Sequence, residues 1–316
     1  MRKFFIHIGT HKTGTTSIQH LLDSNRSALL QRGCFYPRTG RPTNLPGQHN
    51  FAWELSGDRR FRNEYGTIDE LVREIKERSE DVILSSEDFE CSLHCGSRFS
   101  EFISLLRSSG FLVTVILYVR NQVDYLPRIY LTLLHFGLKA PFAEVLAAVL
   151  DSGQIRWREW VLDFDYLDML SRIGKSENVK IVVRSYEQSR MSLCNDFLSI
   201  FNLSLKDLQV DKEPFENVSL PLRDYLQLFL QNRIGRTLTA QEAESANQVV
   251  SSDATSIRLS PVTREKVFRR FSDTNHQLFI RYGILEPALK ESETTETLFV
   301  DRLFSEDLVA SVLKAR

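Results

Sequence analysis

The uncharged run Phe111-Leu-Val-Thr-Val-Ile-Leu-Tyr-Val119 constrains the fold of this chain more than any other feature. It is about half the ~20 residues a membrane span requires, and its Val and Ile content marks a strand covered on both faces in the middle of a parallel sheet. Shorter, largely apolar runs stand at Lys3–Ile8, Val82–Ser85 and Val179–Val183. Helical patterns separate them. Thr15–Arg32 carries Ile18, Leu21, Leu22, Leu29 and Leu30 on one side, with Gly33 as its stop. Thr67-x-x-Glu70 is a capping box for a helix to about Arg78, and further helices are expected over Arg98–Ser109 and from about Gln122 onward.

Strands alternating with helices imply right-handed crossovers and a mostly parallel α/β sheet, whose ligands bind at the carboxyl ends of the strands. From Leu220 the patterns are helical only: Pro221–Gln231, Thr239–Val249, Pro261–Tyr282 and Leu303–Lys314, with the charged segment Lys290–Glu296 as a solvated loop. The expectation is a single domain over residues 1–316, with a P-loop-like α/β core over 1–205 and a helical C-terminal part over 206–316.

Charge and cysteine usage limit the function. Forty Lys and Arg stand against 41 Asp and Glu, a net charge of -1, which argues against a general nucleic-acid or polybasic membrane binder but leaves room for a local basic pocket. The N-terminal residues lack the apolar core and cleavage site of a secretory signal, so neither export nor stable membrane insertion is expected. Four cysteines do not make a disulfide framework and fit a reducing cytoplasm. Cys91-x-x-x-Cys95, with His94 between, matches no common zinc spacing, and no metal is expected there.

The segment with the most chemical content is Gly9-Thr-His-Lys-Thr-Gly-Thr-Thr16, set between the first strand and the first helix. Backbone N–H groups in such a loop, the positive end of the helix dipole and the charge of Lys12 together make a phosphate cradle. A Walker loop needs its lysine directly after the second glycine, followed by Ser or Thr for magnesium; here Thr15 follows Gly14 and Lys12 precedes it.

This loop, with Ser17-Ile-Gln19 opening the helix, resembles the 5′-phosphosulfate loop of sulfotransferases that use 3′-phosphoadenosine-5′-phosphosulfate (PAPS), in the bacterial and carbohydrate-type branch. The resemblance implies that Lys12 contacts the oxygen bridging phosphate and sulfonate, and that His11, Thr13, Gly14, Thr15 and Thr16 hold the 5′-phosphate. It also implies that Arg120, ending the central strand, meets the 3′-phosphate together with a serine eight residues on; Arg128 stands at that position, either as a guanidinium replacing the hydroxyl or as a solvated side chain. Tyr36–Gly40, Gln48–Asn50, Leu84–Glu87, Arg184–Glu187, Asn217–Leu220 and Asn275–Tyr282 are similar to family segments in the family order, and Asn217 falls where relatives close over the adenosine.

The implied reaction moves a sulfonate group from PAPS to a hydroxyl on a carbohydrate, glycolipid or small natural product, releases 3′-phosphoadenosine-5′-phosphate (PAP), and needs no metal. Lys12 suits the charge growing on the leaving oxygen. Glu87, two residues past the second strand, serves as general base if its pKa is tuned upward, and His49 is the other candidate because it titrates near neutrality untuned. Two other classes remain open. A nucleotide kinase or NTPase would use Glu87 and Asp88 for magnesium, and a noncatalytic nucleotide-binding protein would keep the cradle without turnover, with Arg128 in its favour. Trp157, Trp160, Leu162 and Phe164 read first as a helical core stripe and second as the lining of an acceptor cleft. The acceptor's identity and the oligomeric state are not legible.

Overall fold

The computed structural model describes residues 1–173, 179–210, 220–250, 257–284 and 298–314. Its strands are β1 (Arg2–His7), β2 (Cys34–Phe35), β3 (Asp81–Ser85), β4 (Phe111–Val119), β5 (Gln154–Trp157), β6 (Trp160–Asp163), β7 (Lys180–Ser185), β8 (Ile257–Arg258) and β9 (Leu298–Phe299). Five of these form one sheet in the order β2-β3-β1-β4-β7, and every pairing in it is parallel. The register pairs Phe4 with Val82 and with Val113, so β1 lies between β3 and β4. This is the α/β architecture expected from the alternation of strands and helices.

The helices are α1 (Thr15–Ser24), α2 (Arg26–Gln31), α3 (His49–Ser56), α4 (Ile68–Ile75), α5 (Phe89–Ser92), α6 (Arg98–Ser108), α7 (Gln122–His135), α8 (Phe142–Ser152), α9 (Tyr166–Ile173), α10 (Tyr186–Ser189), α11 (Leu193–Ser199), α12 (Leu222–Ile234), α13 (Ala240–Val249), α14 (Pro261–Tyr282), α15 (Val300–Leu303) and α16 (Glu306–Lys314). Among the described residues no helix is long and apolar enough to cross a membrane.

The chain forms two compact units. The first comprises Met1–Arg120, Arg158–Glu216 and Asn275–Glu286; the second comprises Asn121–Trp157, Asn217–Thr274 and Pro287–Arg316. Residues 121–157, assigned to the core from sequence, cluster with the later helices.

In the first unit the sheet is covered on both faces, as the apolar runs require. Side chains alternate across a strand. Phe4 and Ile6 therefore join Val113, Val115 and Leu117 in a cluster with α3, α4, α6 and α9. Phe5, Ile83, Ile116 and Tyr118 face the other way, onto α1, α2 and α11. Phe4 is fully buried, edge-on to Phe111 at 5.4 Å and to Phe102 at 6.4 Å.

Three local expectations are corrected. The helix expected over Thr15–Arg32 is broken at Asn25, whose side-chain amide donates to the Leu21 carbonyl at 2.8 Å; a side chain that competes for backbone groups in this way favours a helix end. Trp157 and Trp160, expected on a helical stripe, lie in strands β5 and β6, with Arg158 at φ 54° between them. No strand was expected after Leu220, yet in the second unit β8 pairs in parallel with β9. Each spans two residues, too short for alternation to be read. The Lys290–Glu296 loop lies outside the described residues.

Phe4→Ala is expected to lower the free energy of unfolding by about 3–5 kcal/mol, measured by chemical denaturation, because it leaves a cavity between two ring neighbours.

Candidate functional site

The loop after β1 stays attached to the sheet beyond the end of that strand. Ile8 N–H donates to the Ile116 carbonyl at 3.0 Å, Thr10 N–H to Tyr118 at 3.0 Å, and Tyr118 N–H to the Gly9 carbonyl at 2.8 Å. On the other side Ser86 N–H donates to the His7 carbonyl at 3.0 Å. Gly9, at φ 93°, brings the backbone so close to the chain just after β3 that a Cβ there would stand 3.0 Å from Cβ of Glu87. Glycine at this position therefore sets Glu87 directly against the loop. Gly14, at φ 76°, caps α1 in the left-handed region that glycine adopts without strain.

Lys12 also has a positive φ, 58°, which is costly for a residue with a Cβ and is held by its surroundings. The Arg120 guanidinium donates to the Lys12 carbonyl at 2.6 Å, and Thr13 Oγ1 donates to the Thr10 carbonyl at 2.5 Å. Arg120 is itself fixed at two points, its guanidinium lying 4.8 Å from the Tyr186 ring centroid and its carbonyl accepting from Tyr166 Oη at 2.7 Å. Between these anchors the chain turns into α1, whose first turn carries no acidic side chain. Among the described residues, the N–H groups of Thr13, Gly14, Thr15 and Thr16 have no acceptor. Lys12 and Thr16 are exposed beside them. A row of such N–H groups at a helix N-terminus, with a lysine and an arginine, has the donors and charge to accept an oxyanion.

Behind the loop lies a buried network that sequence reading did not assemble. His11 is buried, with Nδ1 3.1 Å from Glu90 Oε2 and Nε2 3.4 Å from Asp88 Oδ1. Burial pulls the His11 pKa down, but hydrogen bonds and charge from Asp88 and Glu90 outweigh it and raise the value to about 10. The ring is an imidazolium at neutral pH. Asp88 also accepts from Trp53 Nε1 at 2.6 Å, and lies 3.4 Å from His49 Nδ1 and 3.6 Å from Arg60 Nη1. Burial alone would raise its carboxyl; His11, His49 and Arg60 hold it well below the usual range. Glu90 is fully buried and accepts the Asp163 N–H at 2.7 Å. Burial, which His11 only partly offsets, leaves its carboxyl above the ordinary value.

Glu87 and His49 come together beside this network. Glu87 is half-buried and its Oε2 accepts from Gln19 Nε2 at 2.8 Å. Burial favours its neutral form, yet the charges of His49 and His11 win and lower its pKa, contrary to the upward tuning expected for a base. Glu87 is therefore ionised and ready to accept a proton, as a weaker base. His49 opens α3, hydrogen-bonded through Nδ1 to Ser86 Oγ at 2.9 Å. Burial lowers its pKa, but the bond to Asp88 and the charge of Glu87 leave it raised.

The structure thus gathers His11, Lys12, Thr13, Gly14, Thr15, Thr16, Arg120, Glu87 and His49 in the first unit, by the contacts above. Arg128 is exposed on α7 in the second unit, and Asn217 lies outside the described residues. His94, set between two cysteines, pairs with Asp163 at 2.7 Å. Sequence reading missed Glu90, Arg60 and Trp53 as members of the site. The clustering of acids in Glu87-Asp-Phe-Glu90 directly after a strand was the one available signal. Compared with models of known protein families and with curated proteins, the chain gave no match.

Because the His11 pKa is raised above its ordinary 6.5 to about 10, the stabilisation from its charge is complete below about pH 6.5 and is lost as pH rises through about 10. The stability gap between the native chain and His11→Gln, measured by chemical denaturation, is expected to narrow between those two values. A constant gap would contradict the assignment.

Proposed function

We propose that this chain is a sulfotransferase that moves a sulfonate group from PAPS to a hydroxyl acceptor and releases PAP. The observation that carries the reading is the row of N–H groups from Thr13 to Thr16, flanked by Lys12 and with Arg120 bonded to the Lys12 carbonyl. It supplies donors and positive charge for a phosphosulfate without the glycine-lysine order that a magnesium nucleotide loop requires. Asp88, which a kinase reading would turn toward magnesium, is already engaged by His11, His49, Trp53 and Arg60.

In the proposed step the acceptor oxygen attacks sulfur, the bond from sulfur to the phosphate oxygen breaks with its electron pair, and the acceptor proton passes to the Glu87 carboxylate. Lys12 stabilises charge on the departing oxygen, and Arg120 offers a guanidinium to the 3′-phosphate. Glu87 is favoured over His49 as the base because it is half-buried and ionised, whereas His49 is buried and engaged by Ser86 and Asp88. His49 then adjusts the charge of Glu87. Every residue in this assignment belongs to the first unit.

PAP at one hundred times its dissociation constant is expected to stabilise the chain by about 2.7 kcal/mol in thermal or chemical unfolding, and ATP with magnesium by much less. The reverse preference would overturn the reading. Glu87→Gln is expected to slow single-turnover transfer by about 10²–10⁴-fold with PAP affinity retained, and near-normal transfer would move the base to His49.

A further inference from the structure

The first unit carries a second concentration of positive charge, away from the loop. A depression of about 440 Å³ is lined by Asp23, Arg26, Arg38, Arg41, Thr43 and Asn44, with Pro42 as its apolar contribution. Three guanidinium groups face one carboxylate. Arg41 Nη1 hydrogen-bonds Asp23 Oδ1, and Arg26 Nη1 lies 3.5 Å from the same oxygen. The side chains of Arg26 and Arg41 are only 19% and 21% exposed, so both cations are largely withdrawn from water while sharing a single counter-charge. Arg26 Nη1 is buried and makes no hydrogen bond among the described residues. Burial, then repulsion from Arg38 and Arg41, pushes the Arg26 pKa down despite Asp23. Arg38 is exposed at the rim. This excess of converging donors over acceptors fits an oxyanion with two or more oxygens.

The position of the depression ties it to the reacting centre. Gln19, which holds Glu87, precedes Asp23 by one helical turn on α1, a rise of about 6 Å. The segment that carries Arg38 and Arg41 runs directly into Gln48 and His49, and it is seated by Gly47, where a Cβ would fall 2.7 Å from both Gln19 Cδ and the Ser85 carbonyl. One molecule can therefore present a hydroxyl to Glu87 and an anion to the arginines. The polar lining, with Thr43 and Asn44 as hydrogen-bonding partners and little apolar surface, suits a polyol better than the apolar body of a steroid or phenol.

We propose that the acceptor is an acidic carbohydrate whose carboxylate or sulfate ester docks among Arg26, Arg38 and Arg41 while its hydroxyl faces Glu87. This substrate assignment rests on the sulfotransferase reading, but the anion site itself does not need it. The test titrates the full chain calorimetrically with PAP, and then, with PAP present, with three tetrasaccharides: hyaluronan (carboxylates only), chondroitin 4-sulfate (carboxylates and sulfates) and tetra-N-acetylchitotetraose (neutral). Both acidic sugars, or the sulfated one alone, are expected to bind at least tenfold more tightly than the neutral one, and the first outcome shows that a carboxylate suffices. Arg38→Glu, a change at an exposed position, is expected to weaken that binding at least tenfold and leave PAP affinity unchanged. The proposal is overturned if the neutral sugar binds as well as the acidic ones, if none of the three binds, or if Arg38→Glu has no effect on the acidic sugars. Acidic sugars that bind and respond to Arg38→Glu, in a chain that does not bind PAP, would instead overturn the donor assignment and leave the anion site standing.

Discussion

The site depends on hydrogen bonds that continue the parallel ladder beyond the end of β1. On one side Ile8 and Thr10 bond to β4, on the other His7 accepts from Ser86, and the chain between them has no freedom to drift before it turns into α1. These bonds put the carboxyl ends of β1, β3 and β4 at one edge of the sheet, where α/β folds place their ligands. Loop, Glu87 and Arg120 all inherit their positions from that edge. The positive φ values at Gly9, Lys12 and Gly14 follow from the same constraint, since the backbone must reverse within a few residues to aim its N–H groups outward.

Electrostatics divides the site into two layers. The buried layer pairs the imidazolium of His11 with Asp88 and Glu90, and breaking such a set on one side leaves an uncompensated charge in the interior. The exposed layer, Lys12 with the N–H row and Arg120, carries positive potential toward solvent. Glu87 lies between them, half-buried and kept ionised by the histidines beside it. The near-neutral net charge of -1 is therefore compatible with strongly cationic local surfaces.

Much of this was legible in the sequence, and the reasons are physical. The strands from 3, 82 and 113 are buried on both faces and the edge strand from 179 is half-buried, so their apolar runs are continuous and easily read; the loop at 9–16 is local, so its spacing alone displays the N–H row and the lysine. What could not be read is non-local or short. His11 and Glu90 are 79 positions apart, and only the fold brings them together. The arginine depression joins Arg26 to Arg38 and Arg41 across a helix end and a loop, with no periodicity to announce it. Strands of two to four residues, such as β2, β5, β6, β8 and β9, fall below the length at which alternation exceeds chance. The upward tuning that would suit Glu87 as a base is not met, because its pKa depends on His11 and His49, two charges that only the fold sets beside it.

The most direct measurement of the central claim is a crystal structure of the full chain with PAP. The 5′-phosphate is expected on the N–H groups of Thr13, Gly14, Thr15 and Thr16, with the Lys12 ammonium within hydrogen-bond distance of it and Glu87 facing the side where sulfonate would stand. PAP bound away from α1, or with its 5′-phosphate turned from this row of N–H groups, would contradict the account.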